Sequence, residues 1–201
     1  MSNTDTLQPC ELNADYEGLD RRQLEVLGVL SKEEDVTYSF QGLRRKLGLH
    51  QEVLSRTLDR LEDQNLVVRT NDGYRMNPKK DAFHFGYVTE AAPIETKAVT
   101  AYLPCDLNVS FVLNALKGRW FGEFRWLGYS ETPSGLGLSW ITDDGCIQLR
   151  VKILKKTLTI SALYESKSDQ ERATISAYEL FDFITRATKQ RSIRLQDGIP
   201  N

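Results

Sequence analysis

The residues best suited to chemistry lie in one stretch, QEVLSRTLDRLED at residues 51–63. Leu54, Leu58 and Leu61 recur at i, i+4 and i+7, the spacing of one helix face. On a wheel turning by about 100° per residue, Glu52, Ser55, Arg56, Asp59 and Asp63 fall opposite them, with Gln51 and Arg60 at the edges. Arginine offers a planar fork of donors, glutamine a donor and an acceptor side by side, and glutamate acceptors alone. A solvent-facing row of such groups suits recognition of a fixed pattern of donors and acceptors. The carboxylates also permit a plainer reading, in which Arg56 and Arg60 pair with them at i, i+3 and i, i+4 spacing on a solvated surface.

Catalysis has no comparable set. The chain contains no glycine-rich phosphate loop, no dinucleotide fingerprint and no G-x-S-x-G. His50 and His84 are far apart, and neither has a nucleophile near it in sequence. Asp143-Asp144-Gly145 brings two carboxylates together, but turns use aspartate for backbone reasons. Cys10, Cys105 and Cys146 are widely spaced, odd in number and without a C-x-x-C, so neither a disulfide framework nor a zinc knuckle is expected. The sequence leaves open whether Cys105 and Cys146 meet as a redox pair. It reads as a non-enzyme without cofactor or metal.

The elements that must position residues 51–63 follow from periodicity. The 201-residue chain is long enough for one large domain or two small ones, and 40% hydrophobic residues can supply a core. No apolar run approaches the roughly 18 to 20 residues that span a bilayer, and the polar, acidic start lacks a secretory pattern. A cytoplasmic protein without a membrane partner is the expectation. The net charge of −2 conceals two mildly basic blocks, residues 19–80 and 96–201, separated by acidic segments. Any polyanion must therefore meet a local patch.

Residues 1–18 read as a flexible tail. From Asp20, Leu24, Leu27 and Leu30 mark a first helix. Phe40, Leu43 and Leu47 mark a second, with Arg44, Arg45 and Lys46 turned outward. Gly48 ends it, because glycine tolerates the left-handed backbone of a helix terminus, and Asn65 does the same after residues 51–64. LVVRTNDGYRM then reads as two strands around Asn71-Asp72-Gly73.

Three helices followed by a hairpin resemble a winged helix-turn-helix, and LGLHQEVLSRTLDRLEDQNLVVR resembles the core of MarR- and ArsR-type winged-helix regulators. The likeness covers about residues 19–78. It implies double-stranded DNA as partner and a third helix whose N-terminal half enters the major groove. Carried over by position, the base readers would be Gln51, Glu52, Ser55, Arg56 and Arg60. There Arg suits guanine, Gln adenine, and Glu can accept from cytosine. Phosphate contacts would come from Arg44, Arg45 and Lys46 and, in the wing and just after it, from Arg69, Arg75, Lys79 and Lys80.

Residues 81–97 read as a connector. From 98 onward the order is a strand, a helix over 107–117 capped by Asp106, four period-two strands and a long helix over about 168–189. A one-sided apolar sheet must be covered, and both helices carry matching stripes. The fold class is therefore α+β: an N-terminal winged helix at 19–80, and an antiparallel sheet covered by helices at 98–190, followed by a tail at 191–201. Trp120, Phe124, Trp126, Trp140 and Phe181 crowd the covered face. They read either as core or as the lining of a pocket for a small apolar effector.

The leading expectation is a sequence-specific DNA-binding transcription regulator. It would read a near-palindromic site as a homodimer, with a C-terminal dimerisation or sensor domain. The competing one is a non-enzymatic adaptor whose winged helix binds another protein of transcription or replication.

Overall fold

The computed structural model describes residues 18–32, 35–78, 93–103, 108–133 and 135–196, with side chains as far as Ala187. Helix α1 (Arg21–Ser31) starts at a reciprocal cap, where Asp20 accepts from the Gln23 backbone and Gln23 from that of Asp20. A short strand β1 (Val36–Tyr38) precedes α2 (Phe40–Leu47), which stops at Gly48 with φ 61°. Helix α3 (Gln51–Asp63) gives way to Asn65 at φ 57° and then to the hairpin of β2 (Val67–Thr70) and β3 (Gly73–Met76). The left-handed positions fall at the glycine and asparagine that the sequence offered.

The second half runs β4 (Ile94–Tyr102), α4 (Val109–Leu116), β5 (Phe124–Thr132), β6 (Gly135–Thr142), β7 (Ile147–Leu154), β8 (Thr157–Tyr164) and α5 (Gln170–Gln196). The α+β class and the order of these second-half elements agree with the sequence reading; strand β1 in the first half was not expected. Three details differ. Strand β4 begins at Ile94, within the expected connector, because Ile94 to Lys97 continue the ladder against β8 from Tyr164 to Ser161. Helix α4 is capped by Asn108, whose side chain accepts from the Ser110 backbone, while Asp106 lies outside the described residues. Trp120 precedes β5 and is 63% exposed, with Arg125 4.6 Å from its ring centre.

The eight strands among the described residues form one antiparallel sheet in the order β2-β3-β1-β5-β6-β7-β8-β4. The join is β1. Tyr38 pairs with Tyr74 of the hairpin on one side and with Gly128 of β5 on the other. Two cores lie on opposite faces, and strand alternation separates them. Leu127 and Ile141 pack with the leucines of α1, α2 and α3, whereas their neighbours Trp126 and Trp140 pack with α4 and α5. Among the described residues, no helix is long and apolar enough to cross a membrane.

Candidate nucleic-acid interface

Helix α3 buries Leu54, Leu58 and Leu61 completely and leaves its other side to solvent. Gln51, Glu52, Arg56, Asp59, Arg60 and Asp63 are exposed there, and Ser55 is half-buried. The five expected base readers thus share one accessible surface. Its polar groups are paired loosely. Arg56 meets Glu52 one turn earlier, with the two side chains 72% and 65% exposed. Arg60 reaches Asp20, the cap of α1, at 3.2 Å. Ion pairs this exposed are worth little in water, so either arginine is released at small cost.

Helix α2 differs from expectation. Arg45 and Lys46 do not face outward as a phosphate-holding row. Nε of Arg45 donates to Oδ1 of Asp143 at 2.9 Å, and its side chain is 13% exposed. Nζ of Lys46 donates to Oε1 of Gln148 at 2.6 Å. The physical reason is packing. Gly42 brings α2 so close to β5 that a Cβ there would lie 2.5 Å from the Leu127 carbonyl oxygen. That approach turns the basic turn of α2 toward the β6–β7 connection. Arg44 is half-buried.

The wing is equally committed. Arg69 is exposed, with its guanidinium 5.8 Å from the Tyr74 ring centre. Arg75 is half-buried, and its Nε is buried without a hydrogen-bond partner. Lys79 and Lys80 lie outside the described residues. At the hairpin tip, Asp72 accepts from the Tyr129 hydroxyl at 2.8 Å and pairs with Lys117 just past α4. The Lys117 ammonium also sits 4.9 Å from the Tyr129 ring centre. The hydrogen bond from Lys117, then that from Tyr129, holds the Asp72 carboxyl below its usual range. Burial, then the bond to Asp72, pushes the Tyr129 hydroxyl above its usual range. Sequence reasoning missed this cluster, whose members lie up to 57 residues apart. Asp72 carried only a turn signal.

Three of the five aromatics are buried in the core under α4 and α5. Phe124, Trp126 and Trp140 are buried, the two tryptophans meet edge to face at 5.2 Å, and Trp140 donates to the Arg119 carbonyl. Phe181 packs at the margin of that core, and Trp120 stands outside it. Among the described residues, no cluster of His, Cys, Asp and Glu has metal-binding geometry. Cys146 is exposed and forms no disulfide, while Cys10 and Cys105 lie outside the described residues.

Three helices, a bridging strand and a two-stranded wing define a winged helix-turn-helix. Residues 17–74 match the MarR family model. The match covers under a third of the chain, and the C-terminal half lies outside it. No curated protein and no solved structure matches the chain.

Proposed function

We propose that this protein is a sequence-specific DNA-binding transcription regulator. It inserts α3 into the major groove and reads bases with Gln51, Glu52, Ser55, Arg56 and Arg60. The observation that carries the reading is the open polar face of α3, within the segment that matches the MarR family model. A single winged helix makes few base contacts, so the protein acts as a homodimer on a near-palindrome with half-sites one or more helical turns apart. Arg44 and Arg69 hold phosphates. Arg45 and Lys46 serve instead to set α2 against the C-terminal sheet, which supports a regulatory role for that sheet.

One observation favours the adaptor alternative. Glu52, Asp59 and Asp63 share the exposed face of α3 and would repel phosphates, whereas a basic protein surface would fit them. Arg56→Ala separates the two. If Arg56 pairs with a guanine, the variant loses about 1 to 3 kcal/mol on the preferred duplex and much less on scrambled duplex, with sequence preference relaxed at one position. If Arg56 only pairs with Glu52, the variant loses a few tenths of a kcal/mol of stability and keeps full specificity. Affinity for matched and scrambled duplexes, with the urea midpoint of each protein, decides the matter. Full affinity and specificity in the variant would remove Arg56 as a reader.

A further inference from the structure

The sheet carries a second polar surface that the winged helix does not use. Across β6, β7, β8 and β4 the register aligns Ser139, Arg150, Ser161 and Lys97 in one row. The next row is Gly137, Lys152, Thr159 and Thr100, and the one beyond it Gly135, Leu154, Thr157 and Tyr102. Residues of the intervening parity, such as Leu138, Val151, Ile160 and Val99, lie in the core under α4 and α5. The three rows therefore face the other way, on the side of the sheet where α2 packs. Helix α2 reaches this region at Gln148, through Lys46.

The chemistry of this face is one-sided. Lys97 and Lys152 are exposed and Arg150 is half-exposed, while Lys155 and Lys156, both exposed, follow in the β7–β8 turn. Glu95 is the only carboxylate of the same parity on these four strands among the described residues. Strand geometry sets Arg150 and Lys152 about 7 Å apart along β7, and Lys97 about 10 Å from Arg150 across the sheet. Between the cations stand glycine, serine and threonine, so the surface stays low enough for a polymer to lie along it. At its edge Tyr102 is 87% exposed and Leu154 52% exposed. Among the described residues, the Tyr102 ring makes no hydrogen bond or ring contact, so its face is open to a planar partner.

We propose that this face binds single-stranded nucleic acid. Arg150, Lys152 and Lys97 take successive phosphates, and an unpaired base stacks on Tyr102. The cations alone would suit any polyanion. The exposed ring selects a strand whose bases are free, since bases stacked within a duplex cannot lie on it. This surface is separate from α3, so the inference does not rest on the duplex-reading function.

The test uses the full-length protein and a labelled mixed-sequence single strand of DNA, with binding followed by anisotropy as salt is varied. The affinity should fall with salt at a slope of about 0.7 per phosphate contact. The combined variant Lys97→Gln, Arg150→Gln, Lys152→Gln should bind at least tenfold more weakly and with a flatter slope. Tyr102→Ala should weaken binding by about tenfold through lost stacking alone, with the slope unchanged. Lys167→Gln, a cation outside these rows, should change nothing. Because Arg150 is half-buried, the pair Lys97→Gln, Lys152→Gln at exposed positions gives the same reading if the triple variant fails to fold. Unchanged single-strand affinity in these variants would overturn the proposal. So would equal weakening on a duplex of the same length, or competition by polyglutamate as effective as that by unlabelled single strand.

Discussion

Arg45 on α2 and Asp143 in the β6–β7 turn are joined at 2.9 Å across 98 positions of sequence. Asp143 also forms an ion pair with Nη2 of Arg125 at 3.0 Å, so one carboxylate ties the second helix to both the turn and β5. The winged helix and the C-terminal sheet are thereby locked by side chains as well as by the β1 ladder. A change in the sheet that moves Asp143 would move α2, and with it the turn that aims α3.

This pairing separates neighbours that the sequence treats alike. Arg45→Ala should lower stability by about 1 kcal/mol, the worth of a partly exposed charged hydrogen bond, and leave the salt slope of duplex binding unchanged. Arg44→Ala should keep the urea midpoint and reduce the salt slope by about 0.9, the value of one phosphate contact. A flatter slope in the Arg45 variant would return that residue to the interface.

Gly42→Ala sets helix propensity against packing. Alanine would ordinarily favour a helix by about 1 kcal/mol over glycine. Here the new methyl meets the Leu127 carbonyl oxygen at 2.5 Å and the Ser39 hydroxyl at 2.8 Å, and the first of these is backbone that moves only with the sheet. The variant should therefore be less stable by about 1 to 3 kcal/mol, as in overpacked cores. A midpoint equal to or above that of the wild type would mean that α2 stands farther from β5.

The cluster at the hairpin tip makes part of the stability depend on pH. The folded protein holds the Asp72 carboxyl below its ordinary value of 3.8. A depressed carboxyl contributes stability above the unfolded value, and loses it as pH falls through the folded one. Asp72→Asn should cost about 1 kcal/mol at neutral pH. The gap from wild type should close as the pH drops below about 4. Chemical denaturation of both proteins from pH 7 to pH 2 measures this, and a gap that persists in acid would show that charge is not its source.

Cys146 should be a sluggish thiol despite its exposure. Partial desolvation of the sulfur, then the nearby Asp144 carboxylate, raises its pKa above the ordinary 9.0. In a protein with Cys10 and Cys105 replaced by serine, alkylation at pH 8 should run slower than for an unhindered peptide thiol. Asp144→Asn should speed it. A rate at or above the peptide's would remove the electrostatic account.

Local order in this protein was legible from sequence because its causes are local. The leucine spacing that defines α1 and α3, the Gly48 and Asn65 termini and the turn at Asn71 and Asp72 each depend on backbone terms within a few residues. The alternation of β6, β7 and β8 was readable for the same reason. The α+β class followed, and so did the placing of Arg56 opposite the leucines. Strand β1 could not be read. Val36, Thr37 and Tyr38 show no period, and they form a strand only because β3 and β5 offer unpaired edges on either side. The direction of Arg45 and Lys46 escaped for a related reason. A helix wheel shows which side of α2 is apolar, but not which carboxylate a long basic side chain will meet beyond it. Trp120 shows the converse: its period-two spacing suggested burial, yet the chain enters β5 only at Phe124, leaving the indole outside. Periodicity records which face of an element avoids water, and tertiary packing decides what that face and its opposite finally touch.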